Sequence, residues 1–481
     1  MAYKYYKDNR SFIEACVKTG DAVVINEEVD WDLEMGAIVR RTCEKQGPAV
    51  FFKNIKDYPG FECVGAPIAT YRRLAIALGM DPNSTVPEIA AEYLRRTMDE
   101  SKGLPPKVIT DAPCQQVVLQ GDDANLWNLP APMVHDGDGG RYIGTWQFVV
   151  AKDLDTPFVN WGMYRQMAFD EKTMVGPVLP FSDMGKMWHN KYQPKGIPMP
   201  FAVVINPDPL SAIASCAPAG IGEAEFTSLL MGEPVEVVKC ITSDLLVPAH
   251  AEIIIEGVLV PGVTIDEAPF GEYTGYRTSP REKRTVYRVK CITMRKDPIM
   301  AMSNMGVPTD EGQLLRSFSL GLELDKLLRA QGIPITGVYM LPESTHHLMV
   351  VGVKPIYANI ATQIAQLAFG SKLGPWFHMV VVVDDKTDIY SKDDLIHALC
   401  TKCHPVKGIR IEEHGVGTPL NPFAWPEERV YSRAPKVLFD CTFPPEWPQS
   451  LVPIRVSFDN VYPKEIQEKV LAKWKTYGFK D

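Results

Sequence analysis

The stretch "AEIIIEGVLVPGVTIDEAPFGEYTGY", residues 251–276, joins a strand-like run of Ile and Val to an apolar corner that carries two glutamates. Its first part favours a buried strand, because β-branched side chains pack well on a pleated surface. Glu267 and Glu272 follow, with only Ala-Pro-Phe-Gly between them. A surface turn would normally carry Asn, Asp, Ser or Lys instead. The corner is therefore either a solvated loop with incidental acids or a site that shields both carboxylates from water.

Short strand-like segments with turn residues between them surround this stretch from about residue 115 to 305, and they predict a barrel-like middle domain. Helix-like and strand-like segments alternate before and after it, which predicts an α/β region at each end. A Pro-rich linker at 101–114 separates the first region from the middle. We therefore predict a mixed α/β and β (α+β) chain with domains 1–110, 111–305 and 306–481, and a helical tail at 464–478 that packs on a neighbouring domain or subunit.

The composition is that of a soluble globular protein: 481 residues, 46% hydrophobic, 23% charged, with a formal net charge of -9. This acidity argues against a nucleic-acid-binding surface, which needs clustered Lys and Arg. No run approaches the roughly 18 apolar residues of a membrane span, and "MAYKYYKDNRSF" lacks the apolar core of a signal peptide. Ten scattered cysteines fit reduced thiols. We expect a cytoplasmic protein.

One cysteine motif, "CTKCH" (Cys400, Cys403 and His404), matches the haem c attachment pattern. It ends a helix-like stretch in a chain without an export signal, and no second cysteine pair at metal spacing accompanies it. Thiols at a helix end are therefore the expected structure, rather than a haem or zinc site.

Three local features in the strand-rich middle could carry chemistry, since the sequence has no phosphate-binding glycine motif and no nucleophile elbow. Asn160 and Arg165 lie in "NWGMYRQM", Glu223 follows a Gly-rich turn in "PAGIGEAEF", and the two glutamates flank the apolar corner. Each has an ordinary explanation alone, such as a structurally paired arginine or an acid favoured by a helix dipole.

Together these features offer a guanidinium that binds a carboxylate, a buried glutamate that can hold a proton, and oxygen ligands for a hard divalent cation. This combination indicates decarboxylation with return of a proton. No side chain accepts the electron pair that departing carbon dioxide leaves behind, so a cofactor has to supply the electron sink.

The sequence resembles the UbiD family of prenylated-flavin-dependent (de)carboxylases over nearly its whole length. The resemblance rests on "LPAPMVHDGDGGRYIGT" (129–145), "NWGMYR", "GIGEAEF", "EAPFGEYTGY", "SNMGVPTDE" (303–311), "SKLG" (371–374) and "WKTYGFK", in that order. It implies a middle split β-barrel domain that binds prenylated FMN, an N-terminal α/β domain, and a C-terminal α/β oligomerisation domain with a terminal helix. It also implies reversible decarboxylation of an aromatic or α,β-unsaturated acid, a flavin prenyltransferase that supplies the cofactor, and a homo-oligomer.

The resemblance also implies a role for individual residues. Arg165 would contact cofactor and substrate carboxylate, Glu267 would pair with it, and Glu272 would be the acid/base. Further cofactor contacts are implied at Asn160, Met163, Tyr164, Ser215, Glu223 and Lys372, the last reaching the phosphate. Manganese, or magnesium, is implied at Asn160 and Glu223, and a potassium ion at the backbone of Trp161 and Ser215.

The third metal ligand departs from the family pattern. Relatives usually add a histidine after the arginine, but the corresponding position, 18 residues after Arg165, is Asp183. A carboxylate can bind manganese, because hard cations prefer oxygen. A shifted backbone could instead bring in His189. The sequence favours Asp183 and leaves His189 as the alternative.

The apolar corner is expected to divide the roles of its acids: Glu267 stays ionised beside Arg165, and a more desolvated Glu272 keeps or gives a proton. For the substrate, the branch of the family that handles cinnamate-like acids has a phenylalanine where "GVGTPLNPF" (415–423) has Thr418. Losing an aromatic stacking partner there favours a bulkier or heteroatom-bearing (hetero)aromatic acid over a linear acrylate. A non-catalytic flavin-binding subunit and an ordinary FMN oxidoreductase are the alternative functions.

Overall fold

A computed structural model describes residues 3–278 and 280–480 of the chain. The N-terminal region contains the helices and strands of the predicted α/β region, which alternate as far as its second strand. Its elements are α1 (Asn9–Thr19), β1 (Ala22–Val29), α2 (Glu34–Glu44), β2 (Ala49–Ile55), β3 (Glu62–Gly65), α3 (Tyr71–Ala77) and α4 (Val86–Thr97). The helices α1 and α2 each follow the apolar spacing of an amphipathic helix and bury one face on this region's sheet.

The middle region is rich in strands, as the segments with turn residues between them predict. Its elements are β4 (Lys107–Val108), β5 (Val117–Gln120), β6 (Tyr142–Gly144), β7 (Gln147–Lys152), β8 (Val159–Gly162), β9 (Gln166–Asp170), β10 (Thr173–Gly176), α5 (Asp183–Met187), β11 (Met199–Ile205), α6 (Pro209–Ala214), α7 (Glu223–Met231), β12 (Glu236–Lys239), β13 (Leu246–Pro248), β14 (Ile253–Glu267), β15 (Glu282–Met294) and β16 (Ile299–Met302).

Nine strands of this region form one antiparallel sheet among the described residues, in the order β6-β9-β10-β15-β14-β11-β7-β8, with β5 added to β15. The long pair β14 and β15 lies at its centre and runs from Ile253 opposite Met294 to Glu267 opposite Glu282, with register shifts at Glu256/Gly257 and Leu259/Thr264. This is the half-barrel sheet of a mixed α/β fold. The "AEIIIEGVLV" run forms the buried part of β14, and the acidic corner begins where β14 ends.

The apolar and aromatic residues of the segment "PFVNWGMYRQMAF" predict one strand, but the segment forms two strands, β8 and β9. β8 lies at one end of the sheet order and β9 near the other, so residues 163–165 cross between the two ends. The carbonyl of Tyr164 accepts a hydrogen bond from the Gln147 amide at 2.5 Å instead of a strand partner. The strand pattern did not predict this break, because it depends on contacts between distant strands. Its consequence is that Arg165 leaves the sheet.

The strand β16 completes a different sheet from the one its position in the sequence predicts. It pairs with β3 in the N-terminal sheet, whose order is β1-β2-β3-β16. Buried residues of both regions, such as Phe52 of β2 and Ile255 of β14, belong to one apolar core. The N-terminal and middle regions therefore share their hydrophobic stabilisation.

The C-terminal region is again α/β. Its elements are α8 (Glu311–Ala330), β17 (Ile335–Met340), β18 (Leu348–Val353), α9 (Ile360–Gly370), β19 (Met379–Asp384), α10 (Lys392–Thr401), β20 (Ile409–Val416), α11 (Pro426–Tyr431), β21 (Arg433–Cys441), α12 (Phe458–Val461) and α13 (Lys464–Lys473). In its sheet, β17-β18-β19-β21-β20, the central strands β18, β19 and β21 run parallel, as the continuous apolar run of β19 predicts.

Two features outside the cores complete the fold. Of the "CTKCH" cysteines, Cys400 lies in the last turn of α10 and Cys403 follows the helix. All ten cysteines of the chain are free thiols. After Cys441, every described residue is at least partly exposed. No helix in the described part of the chain combines the length and apolarity needed to cross a membrane.

Gly176, the last residue of β10, provides the first prediction. A Cβ at this position would collide with the main-chain carbonyl of Arg165, which cannot rotate away. We expect Gly176→Ala to lower the free energy of unfolding by about 1–3 kcal/mol, the usual cost of overpacking. Urea unfolding measures it. Gly370→Ala is the control, because no heavy atom lies within 4 Å of its Cβ position; equal stability of the two variants would contradict the prediction.

Candidate active site

The corner after β14 is buried, which excludes a solvated loop. The side chains of Glu267 and Glu272 are 0% and 3% exposed. Phe270 between them packs against Tyr142, with ring centroids 4.2 Å apart. The backbone N–H of Gly271 donates to the buried Asp138 carboxylate at 3.0 Å. The apolar residues of the corner therefore line a protected site.

Arg165 connects the two glutamates. Its Nε and Nη2 donate to Oε1 and Oε2 of Glu267, each at 2.9 Å, in a bidentate pair. Its Nη1 contacts Oε1 of Glu272. The Tyr142 hydroxyl donates to Oε1 of Glu267 at 2.6 Å. The three predicted catalytic residues, Arg165, Glu267 and Glu272, thus meet in one buried cluster.

The expected difference in desolvation between the two acids is wrong. Glu267 is as deeply buried as Glu272, because it lies beneath Arg165 and Tyr142. The partners distinguish them instead: Glu267 accepts three hydrogen bonds, whereas the Glu272 side chain has, among the residues described, a single contact with Nη1 of Arg165. Burial and the Glu267 carboxylate raise the pKa of Tyr142, so its hydroxyl stays protonated and donates.

A second cluster gathers oxygen atoms around the first residue of α7. Glu223 accepts hydrogen bonds from the backbone N–H of Trp161 at 2.9 Å and from the Asn160 amide at 3.3 Å. The Tyr164 hydroxyl donates to Oδ1 of Asn160 at 3.1 Å. Burial raises the pKa of Glu223 to about 8, and the nearby Asp183 raises it too. Among the described residues Glu223 has no ion-pair partner, although the nearby Lys372 opposes the rise in its pKa.

Asp183 belongs to the same cluster and His189 does not. Asp183 is the first residue of α5 and pairs with Lys372 at 2.9 Å. Burial raises the pKa of Asp183, but Lys372 outweighs this and holds it below the ordinary value. The His189 ring bonds instead to the Val178 carbonyl at 2.7 Å and does not line the cavity described next. The geometry favours the aspartate over the histidine.

One cavity connects the two clusters. Of the residues predicted from the sequence, it is lined by Asn160, Met163, Tyr164, Arg165, Asp183, Ser215, Glu223, Glu272 and Lys372. Glu267 lies behind Arg165, outside the cavity. Thr418 is also absent from the lining, because its loop turns inward and its hydroxyl accepts the N–H of Leu420 at 3.3 Å. Leu420, two positions later, lines the cavity, and the role of Thr418 in substrate selection stays a prediction.

The cavity suits a flavin phosphate and, less completely, a metal ion. Met163, Pro218 and Trp376 give it apolar surface, and the Lys372 ammonium at one end can bind an anion. No group of three or more His, Cys, Asp or Glu in the described ranges could hold a metal. Asp183 and Glu223 are only two carboxyl groups, to which Asn160 adds an amide oxygen. Hard cations prefer oxygen ligands of this kind, but the bound ligand would have to supply the remaining ones.

Sequence reasoning missed several residues of this site. Tyr142 lies inside the quoted motif "GGRYIGT", so a search for partners of Glu267 could have found it. Arg316 and Trp376 also line the cavity. Arg316 lies in a helix whose sequence pattern gave no functional signal. The packing of α8 against distant parts of the chain, which the pattern does not encode, brings this residue to the cavity.

Three histidines lie beside the cavity on the C-terminal side. His346 lines it and stacks on Tyr273, with ring centroids 4.8 Å apart, while His347 and His378 lie 4.3 Å apart. Burial lowers the pKa of His347 to about 4 and of His378 to about 3, with Lys436 contributing in the same direction. Burial also lowers the pKa of His346. All three rings are therefore neutral at pH 7.

Three family models match consecutive parts of the chain. They are the N-terminal domain (residues 13–93), the Rift-related domain (107–308) and the C-terminal domain (313–441) of 3-octaprenyl-4-hydroxybenzoate carboxy-lyase. The chain is 30% identical over 494 residues to pyrrole-2-carboxylic acid decarboxylase of Pseudomonas aeruginosa, covering 98% of this chain and 99% of that one. It is also 30% identical over 495 residues to ferulic acid decarboxylase 1 of Saccharomyces cerevisiae, covering 98% of each.

Solved structures agree with this similarity. Vanillic acid decarboxylase of Sedimentibacter hydroxybenzoicus in its closed form has a TM-score of 0.90 and 28% identity, covering 98% of this chain and 100% of that one. The open form of the same enzyme has a TM-score of 0.83. The UbiD-class enzyme HmfF of Pelotomaculum thermopropionicum, in complex with FMN, has a TM-score of 0.80 and 25% identity, covering 93% and 96%. The present chain therefore resembles the closed form more than the open one.

The buried histidines predict a loss of stability in acid. The unfolded chain protonates histidine near pH 6.5, whereas the folded protein keeps His347 and His378 neutral down to about pH 4 and 3. Below pH 6.5 the unfolded state therefore binds more protons than the folded state does. The contribution of the two neutral histidines to the free energy of unfolding falls as the pH falls toward 4. We expect His378→Phe to weaken this pH dependence of urea unfolding between pH 7 and 4.5.

His414 provides the matched control, because its side chain is exposed to solvent in the folded protein as it is in the unfolded chain. His414→Phe should leave the pH dependence of the parent protein unchanged. Comparing each variant with the parent cancels the contributions of the buried carboxylates, which act in the opposite direction. Identical pH dependence in His378→Phe and the parent would refute the assignment.

Proposed function

The chain belongs to the UbiD family of carboxy-lyases, and from this premise we propose that it catalyses reversible, non-oxidative decarboxylation of an aromatic or α,β-unsaturated carboxylic acid with prenylated FMN. The observation that carries the proposal is the buried cluster of Arg165, Glu267 and Glu272 at one end of the cavity. The activities named for the relatives from Pseudomonas aeruginosa and Saccharomyces cerevisiae support a (hetero)aromatic or arylalkenyl acid as substrate.

Arg165 binds the reacting carboxylate in this proposal. Its Nε and Nη2 are fixed by Glu267, so the Nη1 side remains for the ligand. Tyr142 and Phe270 hold this arrangement from behind and keep water from the ion pair. A guanidinium that is fixed before the substrate arrives orients the carboxylate without reorganising, which lowers the entropic cost of reaching the transition state.

Glu272 returns the proton. Its carboxyl group lines the cavity next to Nη1 of Arg165, so it lies beside the carbon that loses carbon dioxide. Decarboxylation releases carbon dioxide and leaves an electron pair on that carbon, which then takes the proton of Glu272. In the carboxylation direction, Glu272 removes the same proton.

Prenylated FMN, when bound, supplies the electron sink that no side chain of the chain provides. The FMN complex of HmfF supports a flavin in the cavity. Lys372 would hold the phosphate, and Met163, Tyr164 and Ser215, which line the cavity, would contact the cofactor. Asn160, Glu223 and Asp183 would hold manganese or magnesium, and the backbone near Trp161 and Ser215 would hold potassium.

The domain layout and assembly are also proposals. We assign residues 1–110 to an N-terminal α/β domain, 111–305 to a split-barrel cofactor domain, and 306–481 to a C-terminal oligomerisation domain. The exposed apolar side chains of the tail support a homodimer or larger homo-oligomer, in which a second copy covers them. They are Leu451, Ile454, Val456, Leu471 and Phe479, each at least half exposed. The ten free thiols support a cytoplasmic location.

The central test uses protein produced with and without a flavin prenyltransferase. We expect a prenylated-flavin absorbance spectrum and release of carbon dioxide only from the first preparation. Within it, Glu272→Gln should lower kcat by about 10² or more, because it removes the proton donor, and should keep the flavin bound. Equal activity without the prenyltransferase would indicate ordinary FMN chemistry, and a flavin-loaded protein inactive on every acid would indicate a non-catalytic subunit.

The ion pair of Arg165 and Glu267 provides the control for this experiment. Glu267→Gln and Arg165→Ala should each lower kcat, and the double variant should be no worse than Arg165→Ala alone, because the two residues act as one unit. Near-normal turnover in Glu272→Gln would contradict its assignment as the acid/base while leaving the pair intact.

The metal cluster gives a separate prediction. Asn160→Ala, Glu223→Ala and Asp183→Ala should each lower manganese and flavin content together, since the proposed ion would contribute to holding the flavin. Elemental analysis and flavin absorbance per protein molecule measure this. His189→Ala is the matched control and should retain both. If His189→Ala loses the metal while Asp183→Ala keeps it, the choice of third ligand is wrong.

A further inference from the structure

The cavity contains a second arginine that the proposed reaction does not use. Arg316 lies on α8, one helical turn after Gly312, and both residues line the cavity. Within residues 3–278 and 280–480, Arg316 makes no hydrogen bond and no ion pair. Arg165, by contrast, is paired with Glu267 through Nε and Nη2, and its Nη1 contacts Glu272 at the edge of the cavity. A half-buried guanidinium without an anionic partner is costly unless a ligand supplies the anion.

An aromatic contact holds Arg316 in place. Its Cζ lies 4.1 Å from the ring centroid of Trp376, and Trp376 is itself held edge-on by Phe181 at 5.7 Å. Stacking occupies a face of the guanidinium and leaves its five N–H donors, which lie in the plane, free for a ligand. The contact thus presents a bidentate donor edge on a rigid support.

The surroundings of Arg316 also favour an anion. The neighbouring Tyr273 and His346 are near enough for its charge to lower their pKa values. Burial raises the pKa of Tyr273 to about 12 and lowers that of His346, so both are neutral at pH 7. Neither residue supplies an anion to Arg316. Nor does His346 supply a second cation that would share a bound anion.

We propose that Arg316 binds a second carboxylate of the substrate, so that the preferred substrate is an aromatic or heteroaromatic diacid. This inference rests on the proposed function. The first carboxylate lies between Arg165 and Glu272 and leaves as carbon dioxide, while Glu272 returns a proton to the same carbon. The second carboxylate stays on Arg316 throughout, so it contributes binding and orientation and undergoes no chemistry.

The experiment compares matched acids on the prenylated-FMN holoenzyme. The pairs are pyrrole-2-carboxylate with pyrrole-2,5-dicarboxylate, and cinnamate with 4-carboxycinnamate. We expect kcat/KM of the parent protein to be higher for the diacid in at least one pair. Arg316→Gln should lower kcat/KM for that diacid by about tenfold or more, the usual effect of losing a charge-assisted bidentate contact. It should change the matching monoacid by less than about threefold. Arg316→Lys should restore part of the difference.

Flavin content and a control variant distinguish substrate binding by Arg316 from a structural or cofactor-binding role. Flavin content per protein molecule should be unchanged in Arg316→Gln; loss of flavin would assign Arg316 to the cofactor and overturn the proposal. Arg41→Gln is the control variant, since its side chain is 70% exposed on α2 and does not line the cavity. A parent enzyme that prefers the monoacid in both pairs, or an Arg316→Gln variant that slows both acids equally, would also overturn it.

Binding of the diacids, measured by calorimetry, keeps the inference distinct from the decarboxylase assignment. If no acid is turned over, the proposed function fails, but diacid affinity of the parent protein and of Arg316→Gln still decides the role of Arg316. Tighter binding of a diacid than of its monoacid, lost in Arg316→Gln, supports the anion site. Equal affinity in both proteins contradicts it.

Discussion

The bidentate ion pair between Arg165 and Glu267 is the interaction on which the site depends. It joins the break between β8 and β9 to the end of β14, two places that are 102 residues apart in the chain. Removing one partner of such a buried pair typically costs about 3–5 kcal/mol, because the other charge is left unpaired. The buried Tyr142 hydroxyl and the Phe270 ring complete its environment. The fold therefore fixes the guanidinium before any ligand arrives.

This fixed charge also explains how two similar acids take different roles. A bound substrate places three carboxylates around one guanidinium, and like charges at short range favour a proton on one of them. Glu267 accepts hydrogen bonds from two N–H donors of Arg165 and from the Tyr142 hydroxyl. Within the described residues, the Glu272 side chain contacts Nη1 of Arg165 alone, and it faces the cavity. The number of hydrogen-bond donors, rather than the depth of burial, separates the two residues.

The sequence predicted much of the fold because local patterns determine it. Apolar runs and turn residues placed the α/β regions, the strand-rich middle and the parallel strand β19. They missed the break at residues 163–165 and the return of β16 to the N-terminal sheet. Both depend on pairing between strands far apart in the chain, which periodicity does not encode. The loop at 415–423 meets a related limit, because the direction of a loop decides which side chains reach the cavity, and here Leu420 lines it.

Arg316 was invisible to sequence reasoning because a charged residue on one turn of a long helix normally faces water. Its position also divides the tasks of the cavity between two parts of the chain. Arg165 and Glu272, to which we assign the chemistry, come from the middle region, whereas Arg316, Trp376 and Leu420 come from the region after residue 306. The proposed diacid would span both sets, whereas a monoacid would need only the first. Diacid affinity should therefore depend on contact between the two regions.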